Sequence, residues 1–226
     1  MGNFDQFADS YQQVHTENVR VTGENSDYFA LYKARYIARR MGSRFSGRIL
    51  DYGCGVGMIS KYMKQALPNA TVDGFDPSDA SIARVDPEIR SQGTFTSDWA
   101  YVGREYNLIV VTNVMHHVPP AERQSVIARL RYHLAPRGVL IIVEHNPLNP
   151  LTQWAVANCA FDDDAILLPT SEATEYVLRS GLEILCRDYI VFFPRLLAWF
   201  RPLEPRLSWC PAGAQYALVA RRGTHG

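Results

Sequence analysis

The sequence predicts an α/β protein built on a doubly wound, mostly parallel sheet. Short apolar runs of buried-strand type recur along the chain, segments with helical periodicity alternate with them, and a glycine-rich turn joins the first run to the helix after it. Both faces of such a sheet are covered by helices, so its strands read as continuous apolar runs and not as alternating ones.

The elements follow in order. Residues 27–41 are helix-like, with Phe29, Tyr32, Tyr36 and Ile37 at spacings of three and four, and the stretch 42–47 breaks that helix with glycines. Arg48–Tyr52 is a short strand, and Met58–Ala66 resumes helical character. Thr71–Phe75 forms a second strand ending at Asp76, and Tyr106–Thr112 is a β-branched run of the parallel type. Residues 121–134 have helical periodicity stopped by Pro136 and Gly138, and 139–143 is the next buried strand. Residues 181–193 and 215–221 read as a final strand pair enclosing a loop-rich, aromatic segment.

Length and composition imply one domain over 1–226, with a helical cap at 1–47, a core at 48–145 and a final segment at 146–226. Lysine plus arginine equals aspartate plus glutamate at 23 each, so the chain lacks the basic excess that neutralises phosphates, which argues against nucleic acid. No stretch has the apolar length of a signal peptide or membrane span, and a cytoplasmic protein is expected. The four cysteines are dispersed without a CxxC pair and read as ordinary thiols in a reducing compartment.

The stretch Ile49-Leu50-Asp51-Tyr52-Gly53-Cys54-Gly55-Val56-Gly57 is the most informative. Its glycines permit positive φ and close backbone approach, and the following helix offers unpaired N–H groups at its N-terminus. The spacing is GxGxG, with an acid two residues before the first glycine, unlike the GxGxxG of dinucleotide binders. Asp76 ends the second strand 23 residues after Gly53, where a carboxylate can accept from both hydroxyls of a ribose.

Together these residues resemble the class I S-adenosylmethionine-dependent methyltransferase family, over about 28–144. The resemblance implies a Rossmann-like seven-stranded sheet with its last strand antiparallel. It implies that Asp51, Gly53, Gly55 and Gly57 hold the methionine and ribose portion of S-adenosylmethionine and that Asp76, with Pro77 beside it, holds the ribose. Ser97-Asp98-Trp99 stands where the family places an acid against the adenine amino group, and Thr112 and Asn113 end the strand near the cofactor's amino-acid part. Leu134-Ala135-Pro136-Arg137-Gly138-Val139-Leu140 resembles the family's L-x-P-G-G-x-L turn, with Arg137 in place of the first glycine. The N-terminal stretch, including Tyr11, and the helix carrying Lys33 and Arg35 resemble the cap of the ubiquinone- and menaquinone-pathway enzymes. There a basic residue meets the cofactor carboxylate: Lys33 is the first candidate and Arg35 the second. Alternatively, Lys33 belongs to a solvated basic face with Arg39, Arg40 and Arg44.

Methyl transfer is an in-line displacement that often needs a base to take the acceptor's proton. His116 and His117 follow the strand at Thr112 and His145 follows the next one, so these three are the candidate catalytic residues. Adjacent histidines are expected to point apart, no HxxxH pair occurs, and no metal is expected. The chain lacks the Asp/Asn-Pro-Pro-Tyr/Phe of adenine and glutamine enzymes and the Pro-Cys of cytosine enzymes. With the neutral charge, this points to a small-molecule acceptor and most readily to O-methylation. A cofactor-binding subunit without activity and a nicotinamide-dependent reductase are the alternatives.

Residues 192–202 hold Phe192, Phe193, Leu196, Trp199 and Phe200 between arginines and prolines. They are expected to pack on something: as core, as the wall of an apolar acceptor pocket rimmed by Arg195 or Arg201, or against lipid head groups. The acid run Asp162-Asp163-Asp164 is expected to be a helix start or a solvated loop.

Overall fold

The computed structural model describes residues 23–159 and 164–223. The first helix, α1 (Ser26–Met41), is capped by the Asn25 side chain, which accepts from Tyr28 N–H at 3.0 Å. After it come β1 (Arg48–Tyr52), α2 (Met58–Ala66), β2 (Thr71–Phe75), the short helices α3 (Asp79–Ala83) and α4 (Pro87–Arg90), and β3 (Phe95–Thr96). The chain continues through β4 (Tyr106–Thr112), a 3₁₀ turn (Met115–His117), α5 (Pro120–His133) and β5 (Leu134–His145). Last are α6 (Pro150–Ala157), α7 (Thr170–Arg179), β6 (Leu182–Ile190), 3₁₀ turns over Arg195–Arg206, and β7 (Gln215–Arg222).

The strands form one sheet in the order β3-β2-β1-β4-β5-β7-β6. All neighbours from β3 to β5 pair in parallel, and β7 runs antiparallel between β5 and β6, as the fold class requires. Ala34 and Ile37 of α1, Met63 of α2 and Leu67 just after it cover one face against Ile49, Val110 and Ile141. Ile127, Leu130 and Val177 of α5 and α7 cover the other against Leu50, Ile109 and Ile142. Strand order reverses between β1 and β4, and the crevice at the carboxyl ends there is where open α/β sheets take ligands. Among the described residues no helix is long and apolar enough to cross a membrane.

The fold departs from the sequence reading in three places. The segment after α5 is not a free turn: Leu134 already pairs with Tyr106, and the ladder resumes at Val139 after an irregularity. Helices α6 and α7, where the sequence reading assigned no element, are short and packed by only a few residues, Thr152 and Val156 in one and Ala173 and Val177 in the other. The aromatic segment is not core. Leu196 is 89% exposed and Trp199 74%, because Trp199 stacks on Phe200 with centroids 3.8 Å apart instead of entering the sheet packing.

Arg137 sits at φ 63°, a left-handed conformation that disfavours a side chain bearing Cβ, and it is exposed. Glycine there removes that strain but gains backbone entropy in the unfolded chain. Arg137→Gly is expected to raise stability by up to about 1 kcal/mol, or about 2–4 °C in Tm for a chain of this size. Arg137→Ala should give no such gain, and equal gains in calorimetry would refute the strain account.

Candidate functional site

The glycine turn is pinned to the end of β2. Gly53 N–H and Cys54 N–H both donate to Phe75 O, at 2.7 and 3.0 Å. Gly53, Gly55 and Gly57 have φ of 75°, 52° and 77°, so the backbone path itself demands glycine at all three. A Cβ on Gly53 would strike Val114, whereas one on Gly55 would meet nothing within 4 Å, which leaves open space above the middle of the turn.

Two carboxylates frame this turn. Asp76 is half-buried and accepts from Gly55 N–H at 2.8 Å through Oδ2 and from Ser78 N–H at 3.0 Å through Oδ1. A carboxylate oxygen can accept more than one hydrogen bond, so these two bonds do not by themselves bar ligand hydroxyls from this group. Pro77 beside it is exposed. Asp51 is buried; its Oδ2 accepts from Ser60 Oγ at 2.6 Å, while its Oδ1 has no hydrogen-bond partner. Burial pushes the Asp51 carboxyl up to about 6, the charge of Asp76 adding to the rise and the Ser60 bond and Lys33 opposing it. A buried acceptor without a donor is costly, and a bound ligand offering an N–H at this point would relieve it.

Lys33 is not on a solvated face. It is buried beneath α1, whereas Arg35, Arg39 and Arg40 are exposed. Its Nζ donates to Asn113 Oδ1 at 2.7 Å, and Asn113 takes the left-handed φ of 56° as the chain leaves β4. Because an ammonium only donates, Lys33 fixes the orientation of the Asn113 amide. Asn113 Nδ2 then faces His145 Nε2 at 2.7 Å, so that ring nitrogen accepts and the His145 hydrogen lies on Nδ1. Gln215 Nε2 also donates to Asn113 Oδ1, at 3.3 Å. Thr112 is buried at the end of β4.

Burial lowers the Lys33 ammonium to about 8, against the charges of Glu144 and Asp51, which raise it. Its charge is therefore present below about pH 8 and lost above it. If Lys33 meets the cofactor carboxylate, its share of S-adenosylhomocysteine affinity should fall about tenfold for each pH unit above 8, as the protonated fraction does. Calorimetric titration of the parent and of Lys33→Met from pH 6.5 to 9.5 checks this. The two affinities should converge at high pH, and a constant gap would contradict the assignment. Stability runs the other way. The unfolded lysine holds its proton to a higher pH, so the folding penalty of this buried charge is full below about 8 and is relieved towards 10.5.

On the α5 face of the same strand ends lies a second cluster, centred on Glu144, which the sequence reading did not single out. The carboxylate is fully buried at the end of β5. Its Oε1 accepts from Val114 N–H at 2.9 Å and Met115 N–H at 2.6 Å, and its Oε2 lies 2.6 Å from His116 Nδ1. Burial pushes this carboxyl up, but the charge and hydrogen bond of His116, with His145 and Met115 N–H, outweigh it and hold Glu144 below the ordinary carboxylate range. As an ionised carboxylate it only accepts, so the His116 Nδ1 that faces it carries a hydrogen. The signal was local: an acid closing the apolar run Leu140-Ile141-Ile142-Val143 must have partners, because a buried lone carboxylate is too costly.

The adjacent histidines do not point apart. The 3₁₀ turn brings the rings of His116 and His117 to 4.1 Å, and His145 lies 5.1 Å from His116. His117 Nδ1 is 3.2 Å from Asp164 Oδ1, so the one described residue of the acid run lies in a turn against the cluster. Asp162 and Asp163 lie outside the described residues, as do Tyr11 and the rest of residues 1–22. Among the described residues no group of three His, Cys, Asp or Glu is arranged to hold a metal ion. Asp98 is exposed near the end of β3 and caps the 3₁₀ turn Trp99–Tyr101 through Ala100 N–H at 2.9 Å. The Trp99 ring turns inward, edge-on to Phe75 at 4.9 Å and Tyr52 at 5.7 Å.

Comparison with known proteins gives the same reading. A family model described as a methyltransferase domain matches residues 25–185. An uncharacterized methyltransferase of Synechocystis is 30% identical over 107 residues, 45% of this chain and 49% of that protein. Trans-aconitate 2-methyltransferase of Variovorax paradoxus is 32% identical over 100 residues, 43% and 38% of the two chains. The chain thus spans half or less of the length of these relatives. Magnesium protoporphyrin IX methyltransferase of Synechocystis, solved with bound S-adenosylhomocysteine, superposes with a TM-score of 0.67 at 18% identity, covering 97% of this chain and 96% of that one. Glycine turn, sheet order and family match converge: the chain belongs to the methyltransferase domain family and has the class I S-adenosylmethionine-dependent methyltransferase fold.

Proposed function

We propose that this protein transfers the methyl group of S-adenosylmethionine to a hydroxyl of a small molecule, with His116 as the general base. The observation that carries the reading is the buried Glu144–His116 pair at 2.6 Å, set at the strand ends beside the glycine turn. The residues fit the cofactor, since Asp51 Oδ1 lacks a donor and Gly55 faces open space. When bound, the cofactor supplies an electrophilic methyl on a positively charged sulfur.

The chain's own residues do the rest. Asp76 and Pro77 take the ribose, Asp51 and the glycines the methionine end, Lys33 its carboxylate, and Asp98 the adenine amino group. His116 accepts the acceptor's proton at Nε2, while Glu144 keeps the other proton on Nδ1 and stabilises the imidazolium that forms. His117 with Asp164 is a weaker copy of that arrangement, longer and more exposed. His145 is less suited, because Asn113 occupies its accepting nitrogen.

A small acceptor is supported by the balance of charge and by the acceptors that the names of the two characterised similar proteins denote. The test is transfer of labelled methyl from S-adenosylmethionine to a panel of small alcohols, phenols and amines. Label on hydroxyl acceptors supports the reading. Label on amines alone contradicts O-methylation, and cofactor binding without label on any acceptor favours an inactive partner subunit.

A further inference from the structure

We propose that the surface formed by residues 146–154 and 195–209 docks on the face of an anionic lipid bilayer. This goes beyond the transferase reading and stands without it. Two segments build the surface. One leaves the carboxyl end of β5 and enters α6, presenting Leu148, Leu151 and Trp154 at spacings of three, all exposed. The other links the carboxyl end of β6 to β7 and presents Leu196, Leu197, Trp199, Leu203 and Trp209. Asn146 Nδ2 donates to the carbonyls of Pro211 and Gly213 at 2.8 Å, and Asn149 Nδ2 to that of Ala212 at 2.7 Å, so the two segments are tied together. Both lie at the end of the sheet that carries the glycine turn and the histidines.

Three of the four tryptophans of the chain stand exposed here, Trp209 by 75%. Exposed apolar side chains are ordinary when scattered singly, but a concentration of indole and leucine marks an interaction surface. Charge decides its partner. Residues 146–159 contain no Asp, Glu, Lys or Arg, and residues 191–213 contain Arg195, Arg201, Arg206 and Glu204. Glu204 is buried, accepting from Tyr32 Oη and from the N–H groups of Phe192 and Phe193, and Arg201 is paired with Glu24 at 2.7 Å. The exposed charges of the two segments are therefore the guanidinium groups of Arg195 and Arg206. Indoles favour the bilayer interface, leucines enter just below it, and arginines meet lipid phosphates. Among the described residues these two segments present tryptophan, leucine and arginine with no exposed carboxylate, which is complementary to that surface.

The test is flotation of the full chain with vesicles of phosphatidylcholine, or of phosphatidylcholine mixed equally with phosphatidylglycerol. The parent should float with the mixed vesicles, with a blue shift of tryptophan emission, and added salt should release it. Replacing Leu196, Trp199 and Trp209 together by Ser should lower partitioning at least about tenfold, and Arg195→Gln with Arg206→Gln by about fivefold for each charge removed. These side chains are exposed, and a melting curve verifies that the variants fold. The proposal is overturned if the parent stays soluble with both vesicles or if the triple variant floats like the parent. It is overturned equally if the parent is a dimer that the triple variant dissociates and neither floats, since a second copy would then cover the face. Titration of S-adenosylhomocysteine on the same samples separates the two readings: binding without flotation refutes docking alone, and flotation without binding refutes the transferase reading alone.

Discussion

His116→Gln should lower methyl transfer to an unactivated hydroxyl by about two to four orders of magnitude, the usual contribution of a general base, while S-adenosylhomocysteine affinity stays near that of the parent. Glutamine keeps an N–H that can face Glu144 but has no titrating nitrogen. An acidic phenol acceptor, already partly ionised, should lose much less. Glu144→Gln should also reduce turnover, because the ionised partner that fixes the His116 tautomer is gone. The matching variants of His117 and His145 should cost less. If His116→Gln retains parental turnover while His117→Gln loses it, the base is His117, and equal turnover in all three variants would leave catalysis to positioning alone.

Asp76→Ala should weaken S-adenosylhomocysteine binding by about 10²–10⁴-fold, from two charge-assisted bonds at roughly 1.5–3 kcal/mol each. The same change removes the acceptor for Gly55 N–H at 2.8 Å, which holds the turn against the end of β2. Asp76→Asn separates the two contributions, since an amide oxygen can still accept from one of these groups but carries no charge. Titration calorimetry on both variants, with melting curves to verify folding, gives the comparison. Parental affinity in Asp76→Ala would remove the ribose assignment.

The alternating core was legible because each of its segments carries its own signal. Buried parallel strands leave continuous apolar runs such as Tyr106–Thr112, and a GxGxG turn with three positive φ angles admits little but glycine. Lys33 was ambiguous for a physical reason. Helical periodicity places it on the helix, but only the packing of α1 over the sheet shows whether that position meets solvent or the end of β4. The roles of the histidines depend on long-range partners that spacing does not encode: Glu144 for His116, Asp164 for His117 and Asn113 for His145. The aromatic segment stayed open between core, pocket wall and lipid contact because composition does not encode which way side chains face; the turns over Arg195–Arg206 leave Leu196 and Trp199 facing outward.

The most direct measurement is titration of S-adenosylhomocysteine into the full chain, paired with its effect on Tm. A ligand that binds the folded state must stabilise it by RT ln(1 + [L]/Kd), about 2.7 kcal/mol at a hundredfold excess over Kd, or about 5–11 °C for a chain of this size. The account predicts saturable binding with that shift, both much reduced in Asp76→Ala. Neither binding nor a shift in the parent would contradict the assignment of this site to S-adenosylmethionine.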